Sequence, residues 1–216
     1  YQTEAIVEFL FKMNGAEHEG FPSIQGGGPH SCVLHYVTNR RTLGSGDLLV
    51  SDIGAEYHGY TADVTRTLPA NGKFTSDQRN IYDLVLAAQE AGIREVRAGN
   101  QFRAAHNAAT TVISKGLKEL GIIQDEGDVR RYFMHGTSHY LGLDVHDAGS
   151  YGPLAAGNVI TVEPGIYIAK DSPCDPRWWE IGVRIEDDIL VTDGDPITLS
   201  AGSPRKAEEI EAVMAE

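Results

Sequence analysis

The amino-acid sequence predicts a single domain of the α+β class. Strand-like segments follow a short first helix, helices occupy the middle of the chain, and strands return in the last third. This order differs from the regular strand and helix alternation of a parallel sheet. The chain has 216 residues, of which 41% are hydrophobic and 23% are charged. Such a composition is typical of a globular protein with a sizeable core, and it excludes a disordered or fibrous chain.

The first half of the chain is predicted to begin with a helix and to continue with strands. Residues 1–14 carry apolar side chains at helical spacing and end at a glycine. A Gly- and Pro-rich stretch over 26–29 leads into a predicted strand over Cys32–Val37. Segments rich in β-branched residues predict two further strands over Asp47–Ile53 and Tyr60–Thr67, joined by a turn around residues 54–59.

Helices are predicted after this hairpin. Thr75 and Gln78 have the spacing of a capping box, and apolar residues follow at helical intervals. A second helix is predicted from about Phe102 to Leu120, and a short helical stretch over Gly127–Phe133. The remaining predicted elements are a Gly- and His-rich loop over His135–Gly149, strands over Asn158–Ala169 and Ile181–Val191, and a charged helix over Pro204–Glu216.

Charge and cysteine content limit the classes of partner. The net charge is −13 with no basic cluster, so the surface repels phosphate backbones and anionic lipids. We therefore expect no nucleic acid and no membrane as partners. Cys32 and Cys174 form no CxxC pair, which is typical of a cytoplasmic protein. Because Tyr1 lies directly in a helical pattern, we expect the natural chain to begin further upstream.

Two parts of the sequence resemble each other. Segments 48–54 and 159–165 are both apolar strands that end in a carboxylate, one spacer and a glycine. Each precedes a second strand that carries another carboxylate, over 61–68 and 182–191. The similarity predicts two related hairpins about a pseudo-twofold axis, with chance similarity of short strands as the alternative.

Four carboxylates occupy these predicted strands. Asp52 and Glu163 end largely apolar strands, and Asp63 and Glu186 lie in the strands that follow. Strands of this kind tend to be buried, and an unpaired carboxylate there is costly or takes up a proton. Taken singly, each acid fits an exposed strand end or an ion pair. Four acids in equivalent places favour a divalent cation as their counter-charge.

Three histidines lie within twelve positions. His135 and His139 have the spacing of HExxH, but Gly136 takes the place of its glutamate, so we expect a loop that presents imidazoles. A lone histidine is more often structural. His135, His139 and His146 together favour a site, and an imidazole among carboxylates suits manganese, cobalt or zinc.

Five motifs together resemble the metallopeptidases with the pita-bread (creatinase/aminopeptidase) fold, the family of Xaa-Pro aminopeptidase, prolidase and methionine aminopeptidase. The motifs are LHY with His35, SDIGAEYHGYTADVTRT (51–67), HGTSHYLGLDVHD (135–147), TVEPGIYI (161–168) and IGVRIEDD (181–188). The resemblance implies two pseudo-symmetric halves around a curved antiparallel sheet. It also implies a catalytic domain over residues 1–216, without the N-terminal domain that these enzymes usually carry.

The resemblance implies a two-metal centre that cleaves peptides. Two divalent ions are expected, manganese first, with cobalt or zinc as alternatives, and a hydroxide held between them would attack the scissile carbonyl. Glu163 would act as general base. The five metal ligands would be Asp52, Asp63, His139, Glu163 and Glu186.

Further residues would act around this centre. His146 resembles the residue that hydrogen-bonds the substrate near the scissile bond, and His35 and His135 resemble residues that line the proline pocket. Arg184 shares a strand face with Glu186 and would orient carboxylates, with a surface arginine as the alternative. Tyr167 would donate a hydrogen bond near the site, with a packing role as its alternative.

Within the family, the VHD and GVRIEDD forms favour Xaa-Pro aminopeptidase and prolidase over methionine aminopeptidase. Segments 66–86 and 178–196 favour the aminopeptidase, which releases the first residue of peptides with proline at the second position. Prolidase, which cleaves only Xaa-Pro dipeptides, and a non-catalytic peptide-binding module are the alternatives. The oligomeric state stays open, with a homodimer as one expectation.

Overall fold

The computed structural model describes residues 1–215 and contains helices and antiparallel strands in the predicted order. The helices are α1 (Gln2–Met13), α2 (Ser76–Arg94), α3 (Ala104–Glu119) and α4 (Ala207–Val213). The strands are β1 (His18–Glu19), β2 (Ile24–Gly27), β3 (Leu48–Ile53), β4 (Ala55–Tyr57), β5 (Tyr60–Thr61), β6 (Val64–Pro69), β7 (Val159–Val162), β8 (Gly165–Ile168), β9 (Ile181–Arg184), β10 (Asp187–Leu190) and β11 (Ile197–Thr198). No helix within residues 1–215 is both long and apolar enough to cross a membrane.

The strands form antiparallel sheets in the orders β1-β4-β5, β2-β3-β6, β7-β10-β11 and β8-β9. Hydrogen bonds connect the first half of the chain to the second. The Glu186 amide donates to the Thr65 carbonyl over 3.1 Å, and Thr67 Oγ1 donates to the Arg184 carbonyl over 2.9 Å. β3 pairs with β6 and β7 pairs with β10, so the predicted hairpins are present, and the two halves meet where β6 lies beside β9.

Helices α2 and α3 pack against each other, and α2 also packs against β7, β8 and β9. The capping box at the start of α2 is present, because the Gln78 amide donates to Thr75 Oγ1 and the Thr75 amide donates to Gln78 Oε1. The main core joins α2, α3, β8 and β9. Its fully buried members include Ile81, Val85, Ile113, Leu117, Ile166 and Val183.

The strand predicted over Cys32–Val37 is wrong. A 3₁₀ helix spans Gly28–Cys32, irregular chain follows it, and β2 takes the place beside β3. Gly28 has a φ of 57°, a left-handed conformation that favours glycine. Pro29 lacks the amide hydrogen that a paired strand needs. These two residues turn the chain before a strand can form.

Both strands predicted in the last third are interrupted. The segment over 158–169 divides at Glu163 and Pro164, so that β7 pairs with β10 while β8 pairs with β9. Proline has no amide hydrogen to donate to a ladder. The segment over 181–191 divides at Ile185 and Glu186. Each interruption contains one of the carboxylates noted in the sequence.

Three other predictions need smaller corrections. The turn around residues 54–59 contains β4, which pairs with β5, and the strand predicted over Tyr60–Thr67 divides at Ala62 and Asp63 into β5 and β6. The charged helix at the end of the chain is α4, which is shorter than predicted, and Glu216 lies outside the described residues.

Candidate metal centre

A cavity of about 500 Å³ is lined by candidate residues from both halves of the chain. All five candidate ligands line it, as do His35, His135, His146 and Arg184. Phe21, Ile24, Leu34 and Val37 form an apolar part of its wall. Tyr167 is absent from the described lining and is reached through Arg184 and His135.

Three of the candidate ligands form a tight group. One ligand atom from each of Asp63, His139 and Glu186 lies within 4.8 Å of the others. His139 Nε2 is 3.3 Å from Asp63 Oδ2 and 3.9 Å from Glu186 Oε1. Two buried carboxylates with one imidazole make a donor set that suits manganese, cobalt or zinc.

Glu163 and Asp52 lie beside this group. Glu163 Oε1 is 3.8 Å from His139 Nε2, and the Glu163 side chain is 19% exposed. Asp52 Oδ2 accepts a hydrogen bond of 2.7 Å from Arg184 Nη2. Within residues 1–215, Asp52 Oδ1 and Asp63 Oδ1 are buried without a hydrogen-bond partner. Since buried polar atoms are normally paired, these two oxygens fit a bound cation.

Burial and mutual repulsion raise the pKa values of Asp63, Glu163 and Glu186. Burial, with Asp52 and Asp188 nearby, raises the pKa of Asp63 to about 9. Burial also raises the pKa of Glu163 to about 8. The pKa of Glu186 rises well above its usual range because the side chain is buried beside Asp63 and Glu163. Without a counter-charge these groups hold protons near neutral pH, and a divalent cation would displace them.

A hydrogen-bonded chain extends from Asp52 to His135. Arg184, only 3% exposed, also donates from Nη1 to the Tyr167 hydroxyl over 3.1 Å. That hydroxyl is hydrogen-bonded to His135 Nε2 at 2.9 Å. Burial raises the pKa of Tyr167 to about 12 and lowers the pKa of His135 to about 4. At neutral pH the tyrosine therefore keeps its proton and the imidazole is uncharged.

The remaining candidate histidines lie at the edge of the site. The rings of His139 and His146 are 4.4 Å apart in an edge-to-face arrangement. Burial and the neighbouring His139 lower the pKa of His146. His35 and His146 are exposed on the cavity wall, where both can meet a ligand.

Sequence reasoning missed two residues that hold the candidate ligands. Thr65 Oγ1 donates to Glu186 Oε2 over 2.6 Å. Asp188 Oδ2 accepts a hydrogen bond of 3.1 Å from the Asp63 amide. Both residues could have been found from the sequence. Side chains alternate along a strand, which places Thr65 on the same face as Asp63, and Asp188 belongs to the motif IGVRIEDD.

Comparison with known protein families identifies the family of this chain. Residues 1–193 match Metallopeptidase family M24. The chain belongs to this family. A cavity that combines buried carboxylates with an imidazole is consistent with an M24 metallopeptidase that uses divalent metal.

Curated relatives of this M24 chain include Xaa-Pro aminopeptidases. The Xaa-Pro aminopeptidase of Escherichia coli is 42% identical over 226 residues, which cover 99% of this chain and 51% of the relative. Xaa-Pro aminopeptidase 1 of Streptomyces coelicolor is 48% identical over 212 residues, which cover 91% of this chain and 43% of the relative. The chain thus spans about half the length of the curated relatives it matches.

A solved structure confirms the fold. Zn-substituted Escherichia coli aminopeptidase P in complex with product superposes with a TM-score of 0.96 at 42% sequence identity. The match covers 100% of this chain and 52% of that one. The predicted α+β class and pita-bread fold are both confirmed by this likeness.

Proposed function

We propose that residues 1–216 are the catalytic domain of a dinuclear Xaa-Pro aminopeptidase, which releases the first residue of peptides with proline at the second position. The observation that carries the proposal is the convergence of Asp52, Asp63, His139, Glu163 and Glu186 on one cavity. The similarity to Xaa-Pro aminopeptidases along 91–99% of the chain supports the choice of substrate.

The five converging side chains would hold two divalent ions, manganese first among them. Asp63, His139 and Glu186 already form one group, and the unpaired oxygens of Asp52 and Asp63 leave donors for a second ion. When bound, such ions polarise a carbonyl and lower the pKa of bound water toward about 7. The Zn-substituted structure of Escherichia coli aminopeptidase P supports zinc as an alternative ion.

Glu163 is the residue best placed to move a proton. Its carboxylate is only 19% exposed but lines the cavity, with Oε1 3.8 Å from His139 Nε2, where it would take a proton from the attacking water. That proton would pass to the leaving nitrogen of the proline.

Arg184 and the histidines would prepare the site for this transfer. Arg184 holds Asp52 and Tyr167 through separate guanidinium nitrogens, which fixes one ligand relative to the wall. His35, His135 and His146 would contact the substrate around the proline. Both ring nitrogens of His135 are already hydrogen-bonded, Nδ1 to the Gly136 carbonyl at 2.7 Å and Nε2 to the Tyr167 hydroxyl at 2.9 Å, so its uncharged ring would contact the proline without adding charge beside the carboxylates.

Product analysis with two peptides tests the proposal. The manganese-loaded protein is incubated with the dipeptide Ala-Pro and, separately, with the tripeptide Ala-Pro-Ala. Release of alanine from the tripeptide is expected. Cleavage of the dipeptide alone would identify a prolidase, and cleavage of neither would favour a peptide-binding module. A location in the cytoplasm and a homodimer stay predictions.

A further inference from the structure

A second cavity of about 540 Å³ adjoins the candidate metal centre. Its wall shares His135, Gly136 and Ser138 with the first cavity. Phe133 lines the second cavity, where its ring contacts His135 edge-to-face at 5.1 Å and lies 5.4 Å from the ring of His106. The second cavity therefore continues from the side of the site that His135 borders.

The lining of this cavity is cationic although the chain is acidic overall. Arg103, His106 and Arg130 line it, and no Asp or Glu of residues 1–215 does so. The net charge of the chain is −13, so a concave surface with two guanidinium groups and no carboxylate stands apart from its surroundings. A local positive field of this kind attracts anions.

Neither arginine is neutralised by a protein carboxylate. Within the part of the chain that the structure describes, the ion pairs include Arg131 with Asp128 at 3.6 Å but involve neither Arg103 nor Arg130. Arg131 follows Arg130 in a 3₁₀ helix over Glu126–Arg131 and lies outside the cavity lining. The two cavity arginines thus keep their hydrogen-bond donors for a ligand.

The imidazole of His106 lies close to both arginines. His106 is half-buried and its Nδ1 is hydrogen-bonded to Thr137 Oγ1 at 2.9 Å. Burial and the charges of Arg103 and Arg130 lower the pKa of His106. Arg103 is also the N-cap of α3 and makes no side-chain cap, so the positive end of this 16-residue helix borders the same space.

We propose that the second cavity binds a carboxylate of the peptide substrate beyond the proline. The inference rests on the proposed function, because His135 then faces the proline and the cavity lies on the far side of His135. Arg103 and Arg130 would each donate hydrogen bonds to the carboxylate. The aromatic side chains of Phe102, Phe133 and Tyr151 would contact the part of the peptide next to it. The carboxylate comes either from the C-terminus of a short peptide or from an acidic third residue.

Two peptide pairs distinguish these sources. The first pair is Ala-Pro-Ala as free acid and as amide, and the second is Ala-Pro-Glu amide and Ala-Pro-Gln amide. Within each pair, the ratio of kcat/KM for the charged peptide to that for the neutral peptide measures the preference for a carboxylate. A ratio above one for the first pair identifies the C-terminus of the peptide as the source of the carboxylate. A ratio above one for the second pair identifies an acidic third residue.

Arginine variants connect the preference to the cavity. Arg103→Gln and Arg130→Gln should each lower the ratio about threefold and the double variant about tenfold, the scale of exposed charge pairs. Arg131→Gln, the matched control, should leave the ratio unchanged because Arg131 lies outside the lining. Equal ratios in the wild type and the double variant for both pairs would overturn the proposal.

Binding measurements separate this inference from the proposed function. Dissociation constants of the same four peptides are measured by calorimetry for the wild type and the double variant. The titrations are made in chelator, where no hydrolysis is expected, so the cavity is tested even if the metal-loaded protein hydrolyses no peptide and the proposed function fails. A weaker affinity of the double variant for charged peptides alone supports the cavity, and equal affinities overturn it.

Discussion

Thr65 and Glu186, 121 residues apart in the sequence, share a hydrogen bond of 2.6 Å in which the threonine hydroxyl donates to the carboxylate. Both side chains are buried, Thr65 at 0% and Glu186 at 2% exposure. The bond fixes one candidate ligand of the second half to a strand of the first half. The site thus depends on the contact between the two halves, and not on either hairpin alone.

Replacing Thr65 with valine removes this donor and keeps the shape of the side chain. We expect metal affinity to fall about tenfold, the usual effect of losing a hydrogen bond to a metal ligand, while the fold is kept. Calorimetric titration with Mn²⁺ measures the affinity. Thr111→Val, at an exposed position of α3, is the matched control. An unchanged affinity in Thr65→Val would show that the hydroxyl does not position Glu186.

Replacing Asp63 with asparagine should separate metal binding from folding. The variant should lose metal binding and peptidase activity. Its metal-free form should be more stable than the wild type at pH about 8, by on the order of 2 kcal/mol, because an amide needs no proton to be neutral when buried. Thermal unfolding with a chelator measures this difference.

Asp193→Asn, at an exposed position, is the control for Asp63→Asn and should change neither metal binding nor stability. Full activity of the Asp63→Asn protein, or of Asp63→Ala, would refute the assignment of Asp63 as a ligand.

The stability of the metal-free protein should fall as pH rises. The pKa of Asp63 is raised from 3.8 to about 9 and that of Glu163 from 4.5 to about 8, so the folded state binds more protons than the unfolded state between these values. Their stabilising contribution is complete below pH about 4 and is lost as pH approaches about 9. Melting temperatures in chelator across this range measure the effect.

Metal affinity should change in the opposite direction, because the protons must leave before a cation binds. The apparent affinity for Mn²⁺ is expected to rise with pH over the same range. A metal-free melting temperature that increases steadily from acid to alkaline pH would contradict the assignment of these raised pKa values.

Replacing Arg184 with lysine should impair the site although the charge is kept. A lysine cannot donate to Asp52, Tyr167 and the Leu34 carbonyl together, as the guanidinium does. We expect kcat/KM to fall by about 10- to 100-fold, as for other residues that orient metal ligands. Arg177→Lys, where an exposed arginine pairs with Asp77, is the control. Equal activity of Arg184→Lys and wild type would assign Arg184 a packing role.

The sequence correctly predicted the elements whose patterns depend on residues close together in the chain. The apolar spacing of α2 and its Thr75 cap depend only on neighbouring residues, and both are present in the structure. The strand predicted over Cys32–Val37 failed because apolar residues after a Gly-Pro turn look like a strand until their partners are known. β2 had few strand-forming side chains, and its pairing with β3 is a tertiary contact.

For the candidate site, the types of residue were predictable and their distances were not. The carboxylates stood out because buried strands rarely carry such groups, and His139 stood out because three histidines lie within twelve positions. The grouping of Asp63, His139 and Glu186, with Asp52 turned to Arg184, depends on how the two halves meet. The second cavity involves side chains from α3 and the 3₁₀ helix over Glu126–Arg131, which no sequence motif connects.

The most direct test is a titration of the metal-free protein with Mn²⁺, in which alanine release from Ala-Pro-Ala is measured at each addition. The account predicts no release without metal and a maximum rate as the second equivalent per chain binds. Release that persists in chelator, or a protein that binds no Mn²⁺, would contradict it.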